Sequence, residues 1–267
     1  MIGRVLAVAG SDSGGGAGIQ ADIKAISALG AYAATAVTAL TAQNTIGVHG
    51  VYPVPAEFID KQIHSVLTDI GADCIKIGML HESQVIETVV AALDRDAPKT
   101  PIVVDPVMVA KGGAVLLHGD AVDVLRKRLI PRATLLTPNI PEAEALAGRK
   151  FFNHRDMEPL CRSLIELGAK AVLLKGGHAT GPIVCDMLIN NGQVRIYKNP
   201  RLDTIHTHGT GCTLSSLIAA GLANGFSLEE AIEAAEEFLH KAIKTAPQLG
   251  KGHGPVNHLH TIRGCKY

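Results

Sequence analysis

Short apolar runs alternate with stretches of helical spacing along nearly the whole chain, and this alternation restricts the fold more than any other feature. Runs suited to buried strands fall at residues 4–9, 31–42, 73–78, 101–105, 133–137 and 171–175. Helical spacing occupies residues 18–29, 55–69, 83–94, 120–130, 141–147 and 157–167. In the first of these Ile19, Ile23, Ile26 and Leu29 share a face, and in the second Phe58, Ile59, Ile63, Val66 and Leu67 point inward. Strands alternating with helices predict a mainly parallel sheet covered on both faces. Residues 48–54 alternate and read as an edge or flap strand. Residues 183–188 and 193–197 flank Asn190-Asn191-Gly192, a hairpin turn. Two helices follow, the second opened by the capping box Ser227-Leu228-Glu229-Glu230. No linker, repeat or low-complexity segment divides the 267 residues, so one domain over 1–267 is expected.

Composition removes several classes of function. Acidic and basic residues balance at 25 each, which argues against nucleic acid or an anionic membrane surface as partner. Tryptophan is absent and aromatics are few, so stacking platforms for single strands are not expected. No apolar run reaches the length of a membrane span. The apolar start at Met1 is followed at once by Ser11-Asp12 and reads as a buried first strand rather than a leader. Five widely spaced cysteines, with no C-x-x-C pair, suggest neither a disulfide framework nor a zinc site. A reducing cytoplasm fits. Cys161, Cys185 and Cys265 read as structural or incidental thiols.

In open α/β sheets ligands sit beyond the carboxyl ends of the strands. The polar residues collect there: Gly10-Ser11-Asp12, Gln43-Asn44, Lys76, Asp105, Asn139 and Lys175-Gly176-Gly177-His178. His208-Gly209-Thr210-Gly211-Cys212 leads from a polar loop into an apolar helix. Its glycines allow a tight turn, and the open N–H groups of the helix start form an anion site suited to phosphate. Cys212 falls at that helix start, where a thiol pKa is expected to be lowered. Lys175, His178 and His208 offer positive or hydrogen-bonding groups for phosphates. Asp105, Asn139 and Glu142 form an acidic set suited to Mg²⁺ carried by substrate phosphates rather than to a dedicated cage. Gln43 carries a planar amide that matches the ring nitrogen and amine of an aminopyrimidine. Asp22, one turn into the first helix, is within reach of a ligand hydroxyl or faces solvent. Gly250-Lys251-Gly252-His253-Gly254 reads as a plain loop that nothing anchors.

The segments at residues 9–22, 41–45, 76–80, 105–109, 137–139 and 206–213, in this order, resemble the hydroxymethylpyrimidine/phosphomethylpyrimidine kinases of thiamine biosynthesis, in the ribokinase-like superfamily. The resemblance implies a three-layer α/β/α sandwich, a homodimer, and ATP with Mg²⁺. It implies phosphorylation of 4-amino-5-hydroxymethyl-2-methylpyrimidine and then of its monophosphate. Gly10, Asp22, Gln43, Met79 and Val107 would line the pyrimidine pocket, and Gly209, Thr210, Gly211 and Cys212 would form the anion hole. Asp105, Asn139, Glu142, Lys175 and His208 would serve the Mg²⁺-nucleotide. Sugar kinases of this superfamily carry an aspartate base where Cys212 stands, so Cys212 matters for the alcohol more than for the anionic monophosphate. A pyridoxal kinase of the same scaffold and a non-catalytic ligand-binding relative are the alternatives.

Overall fold

A computed structural model of the chain describes residues 1–110, 112–117 and 119–261; Cys265 lies outside them. Nine strands form one sheet in the order β3-β2-β1-β4-β5-β6-β7-β8-β9. They are β1 (Arg4–Asp12), β2 (Tyr32–Gln43), β3 (Val48–Pro53), β4 (Cys74–Ile77), β5 (Ile102–Val104), β6 (Leu135–Leu136), β7 (Ala171–Leu174), β8 (Ile183–Asn190) and β9 (Gln193–Pro200). The six central strands run parallel. β3 closes one edge antiparallel, and β8 and β9 close the other as a hairpin. Asn191 and Gly192 at its tip both take positive φ, as a two-residue turn between twisted strands requires.

The helices are α1 (Gly18–Ala28), α2 (Ala56–Asp69), α3 (Ser83–Asp96), α4 (Gly119–Val124), α5 (Ile140–Ala147), α6 (Met157–Glu166), α7 (Thr210–Ala223) and α8 (Leu228–Lys244). Alternation along β1 sends Leu6 and Val8 to one face and Val5 and Ala7 to the other. The first face packs on α2 to α6 and the second on α1, α7 and α8, which makes three layers. The expected capping box at Ser227 is present, with Glu230 returning to the Ser227 N–H.

Several local expectations are corrected. β1 continues past Ala9 to Asp12, with a bulge between Ala9 and Ser11. α1 turns Ala21, Asp22, Ala25 and Ile26 inward, while Ile23 is 40% exposed. Small residues face the core there because α1 lies against α7, and close packing favours them. Phe58 is also exposed, whereas Ile59 and Ile63 bury the inner face of α2. The predicted helix over 120–130 is α4 running into a wide turn at Leu125–Leu129 and a 3₁₀ turn at Ile130–Arg132.

The segment 250–254 is anchored, contrary to expectation. The His253 N–H donates to Thr45 O at 2.8 Å, and the His208 N–H donates to Gly254 O at 3.1 Å. Gly254 N donates to His206 Nδ1 at 3.2 Å. A side chain at Gly252 would overlap the Thr45 carbonyl, so its glycines permit this close approach. The chain end thus ties the loop after β2 to the approach to α7.

Candidate active site

Strand order reverses at β1 and β4, and the carboxyl ends of the strands on either side open onto a cavity of about 530 Å³. Gly10, Gln43, Met79 and Val107 line it, as do Asp105, Asn139, Glu142 and Lys175. A second cavity of about 380 Å³ lies on the β8–β9 side. Asn139, Lys175, His178, Thr207, Thr210 and Gly211 border both. The start of α7 therefore stands between two compartments.

Gly209 caps α7 with φ +82°, and no side chain caps this end. The Thr210 N–H makes a long bond to Thr207 O at 3.4 Å, the Gly211 and Cys212 N–H groups face a ligand, and the helix dipole favours an anion there. At this helix start lies the Lys175–Asp105 ion pair, Nζ to Oδ1 2.7 Å. A Cβ on Gly211 would come within 3.1 Å of Lys175 Nζ. Burial, the largest influence, works against the Lys175 charge, but Asp105 and Glu142 hold its pKa above the usual value. A cation thus stands beside open N–H donors, an arrangement that stabilises phosphoryl oxygens.

Asn139 and Glu142 form a reciprocal cap on α5: Asn139 N donates to Glu142 Oε2 at 2.8 Å and Glu142 N to Asn139 Oδ1 at 2.9 Å. Burial pushes the Glu142 carboxyl up to about 7, with Lys175 opposing and Asp105 reinforcing the shift. A carboxyl short of counter-charge beside Asp105 is a hard-oxygen donor set that fits a divalent cation brought in by phosphates. Among the described residues no group of three or more His, Cys, Asp or Glu could hold a metal by itself.

Three predicted site residues behave otherwise. Asp22 is not on the cavity wall but fully buried behind it, 2.8 Å from Lys76 Nζ and 2.7 Å from Ser216 Oγ. Its place on the inner face of α1 decides this. Cys212 lines the larger cavity, yet burial pushes its thiol up to about 11, with Lys76 opposing. The expected lowering at a helix start is outweighed by desolvation of the thiolate. His208 does not open toward the second cavity; its Nε2 is bound to Asp12 Oδ2 at 2.9 Å.

Sequence reading missed the far wall of the second cavity. Asp186 Oδ1 accepts from Gly176 N at 2.7 Å and so holds the loop after Lys175. Glu236 Oε2 accepts from Asn199 Nδ2 at 2.8 Å. Burial raises the pKa of both carboxyls. Burial first, and Asp186 next, push Glu236 up to about 9. Nothing local marks either residue, since both resemble surface charges in an ordinary hairpin and helix. Native Glu236 keeps a proton that the unfolded chain sheds near the ordinary carboxyl pKa. Stability should therefore fall as pH rises from about 5 to about 9. Glu236→Gln should flatten this slope; urea midpoints at pH values across that window, unchanged by the substitution, would contradict it.

The family described as Phosphomethylpyrimidine kinase matches residues 12–257. The thiamine biosynthesis bifunctional protein ThiED of Geobacter sulfurreducens is 49% identical over 257 residues, covering 96% of this chain and 52% of that protein. The chain thus spans about half of that relative's length. The hydroxymethylpyrimidine/phosphomethylpyrimidine kinase of Bacillus subtilis is 43% identical, with 96% of this chain and 94% of that protein covered. The Bacillus subtilis pyridoxal kinase, solved as an ADP complex, superposes with a TM-score of 0.90 at 35% identity, over 97% of this chain and 98% of that one.

Proposed function

The chain belongs to the phosphomethylpyrimidine kinase family, and on that premise we propose that it phosphorylates 4-amino-5-hydroxymethyl-2-methylpyrimidine with ATP, and then its monophosphate, in thiamine diphosphate synthesis. The observation that carries this reading is the uncapped start of α7 shared by two cavities, with Lys175 beside it. The larger cavity takes the pyrimidine, with Gln43 on its amine edge and Gly10, Met79 and Val107 around the ring. The smaller takes the nucleotide. Phosphoryl transfer across a loose transition state is driven by positioning and charge stabilisation. The N–H groups of Thr210 to Cys212 and the Lys175 ammonium take up charge on the transferring group. Asp105 and Glu142 would hold Mg²⁺ of the nucleotide, which neutralises phosphate charge when bound. Residues 1–267 act as one kinase domain. No helix of the described residues is long and apolar enough to cross a membrane, and a cytoplasmic setting suits the reaction. Leu40 and Tyr52, paired across β2 and β3 and both exposed, support a homodimer through this edge.

In the first transfer the alcohol must lose a proton, and Cys212, on the wall of the larger cavity, would take it as the thiolate. The monophosphate arrives with an anionic oxygen and needs no base. Cys212→Ala should slow the first step more than the second in separate steady-state assays; equal losses would overturn the assignment. With a thiol near 11, the wild-type first step should quicken with rising pH and the second should not. A coupled assay with the alcohol, the monophosphate and pyridoxal tests the activity as a whole. ADP release with pyridoxal alone would favour the pyridoxal kinase reading, as the structural likeness allows, and none with any substrate would end the kinase reading.

A further inference from the structure

His208 precedes the start of α7, and its ring joins three separate parts of the site. Nε2 lies 2.9 Å from Asp12 Oδ2 and 3.3 Å from Gln43 Nε2. Asp12 also accepts from the backbone N–H groups of Gly14, Gly16 and Ala17 at 2.8, 3.0 and 2.8 Å. His208 and Asp12 are both buried, and a side chain at Gly16 would overlap the His208 ring. The glycine loop thus clears the space that the imidazole fills.

Hydrogen counting then fixes the Gln43 amide. A carboxylate gathering three N–H donors only accepts, so the hydrogen on Nε2 points at Asp12. A ring nitrogen that donates cannot accept from the amide NH₂. The two ends of a primary amide are told apart by their partners. Thr41 Oγ1 has one hydrogen, which goes to Ser11 O at 2.9 Å. The amide is drawn with its oxygen toward Thr41 at 3.2 Å, but a hydroxyl with no spare hydrogen can only accept there, so that end is reassigned as the nitrogen. The amide oxygen then faces His208 and shares its N–H with Asp12 in a three-centre bond. Both contacts select one orientation. It leaves one acceptor site and one N–H free, in a defined order, for a ring edge.

We propose that His208, held by Asp12, sets the polarity of the Gln43 amide and thereby makes the site select an amino-pyrimidine edge over the reversed edge of a 4-oxo lactam. His208 is a positioning residue here, acting through Gln43. The inference rests on the reading of Gln43 as the ring-edge contact given above.

The test compares kcat/KM for the 4-amino alcohol and its 4-oxo analogue. His208→Phe, which fills the space without a donor, should lower the amino-to-oxo ratio at least about tenfold, the scale of one mispaired buried hydrogen bond. The KM for ATP should move much less. His208→Gln, which restores an N–H donor, should recover part of the ratio. A kept ratio in His208→Phe overturns the inference. Should that variant not fold, Asp12→Asn, whose amide can donate to Nε2 and turn it into an acceptor, should lower the ratio in the same way, and an unchanged ratio there overturns it equally. Gln43→Ala separates the two levels: a kept ratio overturns the reading of Gln43 and the inference with it. A ratio lost in Gln43→Ala but kept in His208→Phe overturns the inference alone.

Discussion

Gly209→Ala is expected to lower kcat for both phosphorylations by about 10²–10³-fold, the effect of losing a preorganised backbone donor at a developing charge. Gly209 has φ +82°, a conformation that L side chains rarely adopt. The added Cβ would also overlap the Gly16 carbonyl oxygen, and a carbonyl in a tight loop cannot step aside as a flexible side chain can. The variant relieves both strains by moving the start of α7 away from the glycine loop. That motion shifts the Thr210 to Cys212 N–H groups relative to both cavities at once. Steady-state kinetics with the alcohol and the monophosphate check the prediction, with circular dichroism to confirm that α7 persists. Near wild-type kcat for either substrate would remove the anion-hole assignment from this helix start.

The second large effect concerns stability. Lys76 and Asp22 are both fully buried and pair at 2.8 Å, and Ser216 Oγ donates to the same Asp22 oxygen at 2.7 Å. Burial pushes the Asp22 carboxyl up, and Lys76 is the main force holding its charge. Lys76→Met leaves a lone carboxyl between α1 and α7. Such broken buried pairs cost about 3–5 kcal/mol, whereas replacing both partners by apolar groups is often neutral. The Lys76→Met variant should therefore unfold at much lower urea, and Lys76→Met/Asp22→Leu should recover most of the loss. The single variant's deficit should also shrink at acid pH, where Asp22 takes a proton. A single-variant cost below about 1 kcal/mol would show that the pair is not what organises this layer.

Gly209 and the Lys76–Asp22 pair differ in how far they can be read from the chain alone. Gly209 stands out in sequence because a His-Gly-Thr-Gly-Cys run before an apolar helix has a local physical meaning. The polar residues at strand ends share that quality, since parallel strands deliver their carboxyl ends to one edge. Gln43, Asp105, Asn139 and Lys175 therefore meet where expected. Asp22 and Lys76 carry no such mark. Helical spacing leaves Asp22 free to face solvent or core, and only the contact of α1 with α7 turns it toward Lys76. The Asp186–Glu236 pair is hidden for the same reason, being formed by a hairpin strand and a helix 50 residues apart.

Local rules thus suffice wherever a property depends on neighbours along the chain: periodicity, caps, glycine turns and the alternation that makes a parallel sheet. Ionisation does not belong to that class. Cys212 sits at a helix start that by itself favours a thiolate, yet enclosure by other elements pushes its thiol up to about 11. Desolvation depends on everything packed around a group, and no pattern of spacing records it. The glycine turn into α7 was therefore legible as a motif, while the charge state of its thiol, the hidden carboxyls behind it and the imidazole beside Gln43 were decided only when distant segments closed upon one another.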